Sequence, residues 1–253
     1  MNFLSIFPKD SWIAKYLQFT QNQESPKRFH VWAAISTLSS AMARRCYMNR
    51  VYYRTYPNQY IIMVAESALC RKSTAIKIAT DNILGASGVA DVVRQKMTTE
   101  FLCSYLSNPA KVDNAITIFI SELATGLGQS AMASGLIPLL TNLYDSPDKE
   151  EYRTKGAGDF KMNNVCVNLL GATTLDWLST SLQFENVEGG FTGRVLFVVA
   201  EDNDIKIPWP MVDSSLITIR CGLIDWLVQL SGNSESLILL KKPEIYIQTG
   251  IWA

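Results

Sequence analysis

The stretch VAESALCRKSTAI, Val64–Ile76, follows the apolar run QYIIMVA and opens a helical pattern. Lys72-Ser73-Thr74 stand where a strand passes into a helix, which is where a phosphate-binding loop places its lysine and its Mg²⁺-binding hydroxyl. Such a loop works because backbone N–H groups between strand and helix point at the phosphates, and glycines let the backbone come close. Here neither glycine is present: Glu66 stands six residues before Lys72, and Arg71 stands one before it. Taken alone, the segment is read equally well as an ordinary strand, loop and helix with a serine cap.

A second signal lies downstream. AITIFIS, Ala115–Ser121, is a buried strand that ends in Glu122. A nucleotide hydrolase needs an acid at such a strand end to hold metal or activate water, and Glu122 is the candidate base. The other reading is a strand that ends in a solvated glutamate. Both signals in this order, with a crossover between them, favour the nucleotide site. A third strand, VCVNLLGATT (Val165–Thr174), ends in polar residues. Thr173, or less favourably Asn168, is a candidate sensor of the terminal phosphate, and Thr174 as a plain helix cap is an equal alternative. The turn EGGFTG then presents Arg194 ahead of the strand RVLFVVAE, which suits an arginine finger or an ordinary surface turn.

Around these segments, helical spacing predicts helices over Asp10–Gln21 and Lys27–Arg45, separated by NQESP, and another over Lys72–Leu84. RRCYMNRVYYRTYPNQYIIMVA reads as a hairpin, turning at Tyr-Pro-Asn, that leads into a central strand. Strands alternating with helices predict an α/β fold with a largely parallel sheet flanked by helices. The expected organisation is a helical N-terminal segment, 1–45, followed by a nucleotide-binding domain, 46–253. The apolar ending KKPEIYIQTGIWA is the pattern of a chain cut short from a longer form.

Composition removes several classes. The 253 residues are 48% hydrophobic and 18% charged, enough for a substantial core and far from a disordered chain. Lys+Arg and Asp+Glu both number 23, so the chain is not basic overall. Five cysteines without CxxC spacing and a single histidine, His30, indicate neither a zinc site nor a disulfide framework and fit a reducing compartment. Without a leader or a run of about 18 apolar residues, a soluble, cytoplasmic protein is expected.

ESPKRFHVWAAISTLSSAMARR, YPNQYIIMVAESALCRKSTAI, FISE, LLGATTLDWL and GGFTGRVLFV together resemble the P-loop primase/helicase-like ATPases of phages and mobile elements. In that family an RKST ending of the loop is familiar, whereas Glu66 is a departure. The resemblance implies an ATP- and Mg²⁺-dependent helicase or translocase working on single-stranded or forked DNA in phage or mobile-element replication, as a homo-oligomeric ring, a hexamer. It implies nucleotide binding by Ser67, Ala68, Leu69, Cys70, Arg71, Lys72, Ser73 and Thr74, with Ser73 on the metal and Glu122, Thr173 and Arg194 in catalysis. The alternative is a nucleotide-binding scaffold or helicase-loader-like module that has lost hydrolysis.

His30 beside Trp32 reads as a packed side chain, and Trp32, Trp177, Trp209 and Trp226 as core residues. Arg44, Arg45, Arg50 and Arg54 form a basic cluster. DKEEYRTKGAGDFK, with Arg153, Lys155 and Lys161, is either a DNA-backbone contact or, slightly favoured, a solvated hairpin.

Overall fold

The computed structural model describes residues 6–94, 97–111, 113–123, 135–154, 158–181, 190–203, 205–207 and 213–232. Among them, strands β3 (Tyr60–Val64), β4 (Val92–Arg94), β5 (Asn114–Ile120), β8 (Val165–Thr173) and β9 (Val195–Val199) form one sheet in the order β4-β5-β8-β3-β9. Every pairing in that sheet is parallel. The expected α/β class with a largely parallel sheet is therefore what the chain forms.

The strands read as continuous apolar runs because both faces of the sheet are covered. Tyr60, Ile62 and Val64 of β3, with Ile116, Ile118 and Ile120 of β5, turn towards α4 (Thr99–Leu106) and α5 (Leu136–Leu143). Ile61 and Met63, with Phe119, Leu170 and Ala172, turn towards α1 (Trp12–Phe19), α2 (Lys27–Met42), α3 (Lys72–Lys77) and α7 (Ser214–Gly232). The N-terminal helices thus share one core with the sheet. Ser11 caps α1 by accepting from the Ala14 amide at 3.2 Å, which satisfies a donor the helix cannot pair. His30 is buried on α2 beside Tyr16, with ring centres 6.4 Å apart, as a packed side chain. Trp209 lies outside the described residues.

Two expectations need correction. The helix expected over Lys72–Leu84 is α-helical only through Lys77 and continues as a π-helix, Ile78–Gly85. The hairpin before β3 is a separate pair, β1 (Met48–Asn49) with β2 (Arg54–Thr55), and it turns at Arg50–Tyr53 instead of Tyr-Pro-Asn. The strand β4 went unread because three residues, none of them buried, are too few to show a period. The basic loop forms the slightly favoured hairpin: β6 (Lys149–Thr154) pairs antiparallel with β7 (Gly158–Asn163), while Lys155 lies outside the described residues.

Gly85 closes the π-helix where a side chain does not fit, since an added Cβ would lie 2.9 Å from the Thr80 carbonyl oxygen. Backbone atoms cannot move aside as a side chain can. Gly85→Ala is expected to lower stability by about 1–3 kcal/mol, measured as a lower urea midpoint at constant slope. An unchanged midpoint would mean that the turn relaxes without loss.

Candidate functional site

β3 lies inside the sheet, and the chain leaves it for the far edge at β4, returns through β5 and β8, and passes it to reach β9. The carboxyl end of β3 is therefore the point where the connections part, which is where open parallel sheets bind ligands. The loop Ala65–Arg71 leaves the sheet at this point and α3 begins at Lys72.

Two residues of this loop hold left-handed backbone without being glycine: Ala68 at φ 59° and Arg71 at φ 46°. For an L-residue this conformation costs about 1–2 kcal/mol, so it needs support from outside. Arg71 has that support: its Nε donates to Glu24 Oε2 at 2.8 Å, and Ser25 Oγ donates to its carbonyl at 3.0 Å. Glu24 Oε1 in turn accepts from the Ile207 amide at 3.0 Å. The turn that a glycine would make freely is here held by the connection between α1 and α2. Glu66, at the other glycine position, does not need positive φ, and its side chain is exposed.

A cleft of about 360 Å³ sits over this carboxyl edge. Its walls bring together Ser67, Ala68, Arg71, Lys72, Ser73 and Thr74 of the loop with Ser121 and Glu122 after β5 and with Ala172, Thr173 and Thr174 at the end of β8. The three sequence signals, 50 residues or more apart along the chain, therefore converge on one space. Leu69 and Cys70 do not line it. Cys70 is buried in the core, with its Sγ 3.8 Å from the Ala200 carbonyl, so its side chain anchors the loop and does not face a ligand.

Lys72 Nζ donates to the carbonyls of Ala65 at 2.7 Å and Glu66 at 2.9 Å. Burial lowers its pKa from the ordinary 10.5, against the opposing pull of the Cys70 thiol and of Glu66 and Glu122. The ammonium thus stands between the loop and the acid across the cleft. Thr173 is buried at the cleft wall, in register with Val64. Thr174 Oγ1 accepts from the Trp177 amide at 3.3 Å and caps α6 (Leu175–Ser181), so the cap reading holds for Thr174.

Asn168 is not at the cleft. It lies buried in mid-strand, where its Oδ1 accepts from Ser39 Oγ at 2.6 Å and the Gln59 amide at 3.0 Å, joining α2 to the sheet. Arg44 likewise leaves the basic cluster: it is buried and donates to the carbonyls of Ser146 and Val165, to Tyr56 Oη and to Asp148. Arg194 ends a short 3₁₀ turn, Thr192–Arg194, at the start of β9. The next residue, Val195, pairs with Tyr60, whereas the cleft lies beyond Val64. A strand of this length separates the two edges by about 13 Å, so Arg194 cannot serve its own cleft. It donates to the Gly190 carbonyl at 3.0 Å and lies 3.5 Å from Asp145.

Glu24 and Ser25 were not legible as site residues, because NQESP shows only as a break between helices.

No family model and no curated protein matches the chain. Among solved structures, the crystal structure of Saccharomyces cerevisiae RIF2 is similar at 13% identity over 94% of this chain and 90% of that one, with a TM-score of 0.32. A likeness that low carries no argument about fold or function.

The carboxylate of Glu66 stands exposed near the Lys72 ammonium. Removing that charge is expected to raise affinity for a polyphosphate severalfold at low salt, and less at high salt. Because residue 66 does not need glycine's backbone freedom, Glu66→Gln should match Glu66→Gly in a calorimetric titration of ATP. A gain confined to glycine would show that close backbone approach, and not charge, is limiting.

Proposed function

We propose that the chain is a P-loop nucleoside triphosphatase, an ATP-dependent helicase or translocase of phage or mobile-element DNA replication that works as a ring in the host cytoplasm. The observation that carries this is the convergence of the Lys72 loop, Glu122 and Thr173 on one cleft at the parting point of a parallel sheet. Loop amides and the Lys72 ammonium would hold the β- and γ-phosphates, the ammonium exchanging its two loop carbonyls for phosphate oxygens. The exposed Ser73 hydroxyl, first in line after Lys72, would hold Mg²⁺, which neutralises charge on the phosphates. Glu122 then accepts a proton from, or orients, the water that attacks the terminal phosphorus, giving ADP and phosphate. Thr173, at the cleft wall, would donate to the terminal phosphate.

A second cleft of about 230 Å³ adjoins the first and shares Arg71 and Thr74 with it, its other walls being Asn22, Gln23, Glu24, Ser25 and Ile207. It offers room for the nucleoside beside the phosphates. For DNA, support comes from the exposed β6–β7 hairpin with Lys161 and with Arg153, which pairs with Glu151 at 3.0 Å. For a ring, support comes from Arg194, which stands on the edge opposite the cleft and could complete only a neighbour's site. The deciding measurement is phosphate release from ATP·Mg²⁺ with and without single-stranded DNA, where DNA-stimulated release is expected.

One arrangement favours a second reading, a nucleotide-binding scaffold or loader-like module with weak or absent hydrolysis. Arg71 is latched to Glu24, and Lys72 is engaged by its own loop. ATP binding without phosphate release would select it.

A further inference from the structure

The turn between β1 and β2 puts three large apolar side chains into solvent side by side: Val51 is 85% exposed, Tyr52 95% and Tyr53 64%. Val51 also holds φ 74°, a strained conformation for a β-branched residue, and its amide is fixed by Asn49 Oδ1 at 3.2 Å. This tip borders a groove whose far wall is Asp145–Asp148. Those residues abut the start of β8, where the Val165 amide donates to the Pro147 carbonyl at 3.1 Å. The tip therefore lies on the amino edge of the sheet, and Asp145 in its groove is also the neighbour of Arg194 at 3.5 Å.

We infer that the Val51-Tyr52-Tyr53 tip docks on the cleft edge of a second copy of this chain, beside the Arg194 that this copy inserts. The inference rests on the reading of Arg194 as acting in trans. Charge on the two edges supports it. Asp145 and Asp148 are matched by Arg194 and Arg44, so the exposed Arg50 and Arg54 set the sign of the tip. Arg54 is itself held over the Tyr47 ring at 4.8 Å. The opposite edge exposes Glu66, Glu122, Glu201 and Asp202 beside Arg28, Arg71 and Lys206, and because Arg71 is paired with Glu24 the acids remain in excess there. Amino edge against carboxyl edge is a head-to-tail contact, which repeats and closes into a ring if the rotation allows. Tyrosines flanked by arginines are the side chains that carry most binding energy in such contacts. Three exposed apolar or aromatic side chains at the apex fit a protein partner better than a phosphate backbone.

The test is sedimentation velocity with ATP·Mg²⁺ over a range of protein concentrations, alongside ATP affinity and single-stranded DNA affinity. Wild type is expected to assemble. Tyr52→Ser/Tyr53→Ser is expected to move the assembly midpoint up by about thirtyfold or more while binding ATP unchanged. A photo-reactive benzoylphenylalanine at position 52 should cross-link to the cleft edge, 197–203 or 66–74, of another copy. Wild type that binds ATP yet stays monomeric overturns the inference and leaves the nucleotide site standing. Equal assembly of the variant, a cross-link from tip to tip, or loss of DNA binding with assembly intact also overturns it. Failure of wild type to bind ATP at all would instead remove the nucleotide reading beneath it.

Discussion

Lys72→Ala is expected to weaken ATP binding by about a hundredfold or more, to below detection in a calorimetric titration, with the fold intact. The ammonium is half-buried at the neck of the loop, bonded to the Ala65 and Glu66 carbonyls, and stripped of part of its water. A polyphosphate arriving in the cleft offers it charged partners in place of neutral ones, and charge-assisted bonds are the stronger. Alanine removes the charge while leaving helix and loop in place. The same ammonium sets a pH dependence. Its pKa lies below the ordinary 10.5 because burial disfavours the charged form. As pH rises through that lowered value the ammonium is lost, so ATP affinity falls at alkaline pH before a solvated lysine would titrate. Lys72→Arg keeps the charge and should remove this fall. Undiminished ATP affinity in folded Lys72→Ala protein would end the nucleotide-site reading.

Arg194→Ala is expected to bind ATP as wild type does and to hydrolyse it about a thousandfold more slowly or worse. A guanidinium is always charged and can grip two oxygens at once, so it stabilises charge building on the transferred phosphate. Arg194 is only 32% exposed and leans on Asp145, so it is positioned at the edge without being sealed in. Glu122→Gln should also bind ATP and fail in turnover, for the separate reason that its base is gone. Mixed in equal parts, the two inactive proteins should regain activity, because at random about a quarter of head-to-tail contacts pair an intact Glu122 with an intact Arg194. Co-assembled mixtures that stay inactive at every ratio would exclude the in-trans role and leave Arg194 as a residue of local structure. Glu122→Gln turning over at the wild-type rate would make Glu122 structural.

The sequence by itself determined the parallel core, because strands covered on both faces must be apolar throughout and YIIMV, AITIFI and VCVNLL show this directly. It also determined the junction at Lys72 and the acid after β5, since residue type at a strand end is a local matter. Only the tertiary structure decided which of the polar residues meet. Thr173 and Asn168 are five residues apart on one strand, yet one lines the cleft at the strand end and the other, in mid-strand, meets Ser39 of α2 and the Gln59 amide and ties α2 to the sheet. Arg44 reads as a surface cation and is a buried brace, because its carbonyl partners come from 102 and 121 residues away. The missing glycine at position 71 is explained by Glu24 and Ser25, whose support is invisible until the α1–α2 connection is folded against the loop. Arg194 is next to the sheet in sequence and on its far edge in space, since a parallel strand puts its first residue a full strand length from the edge where phosphate would bind.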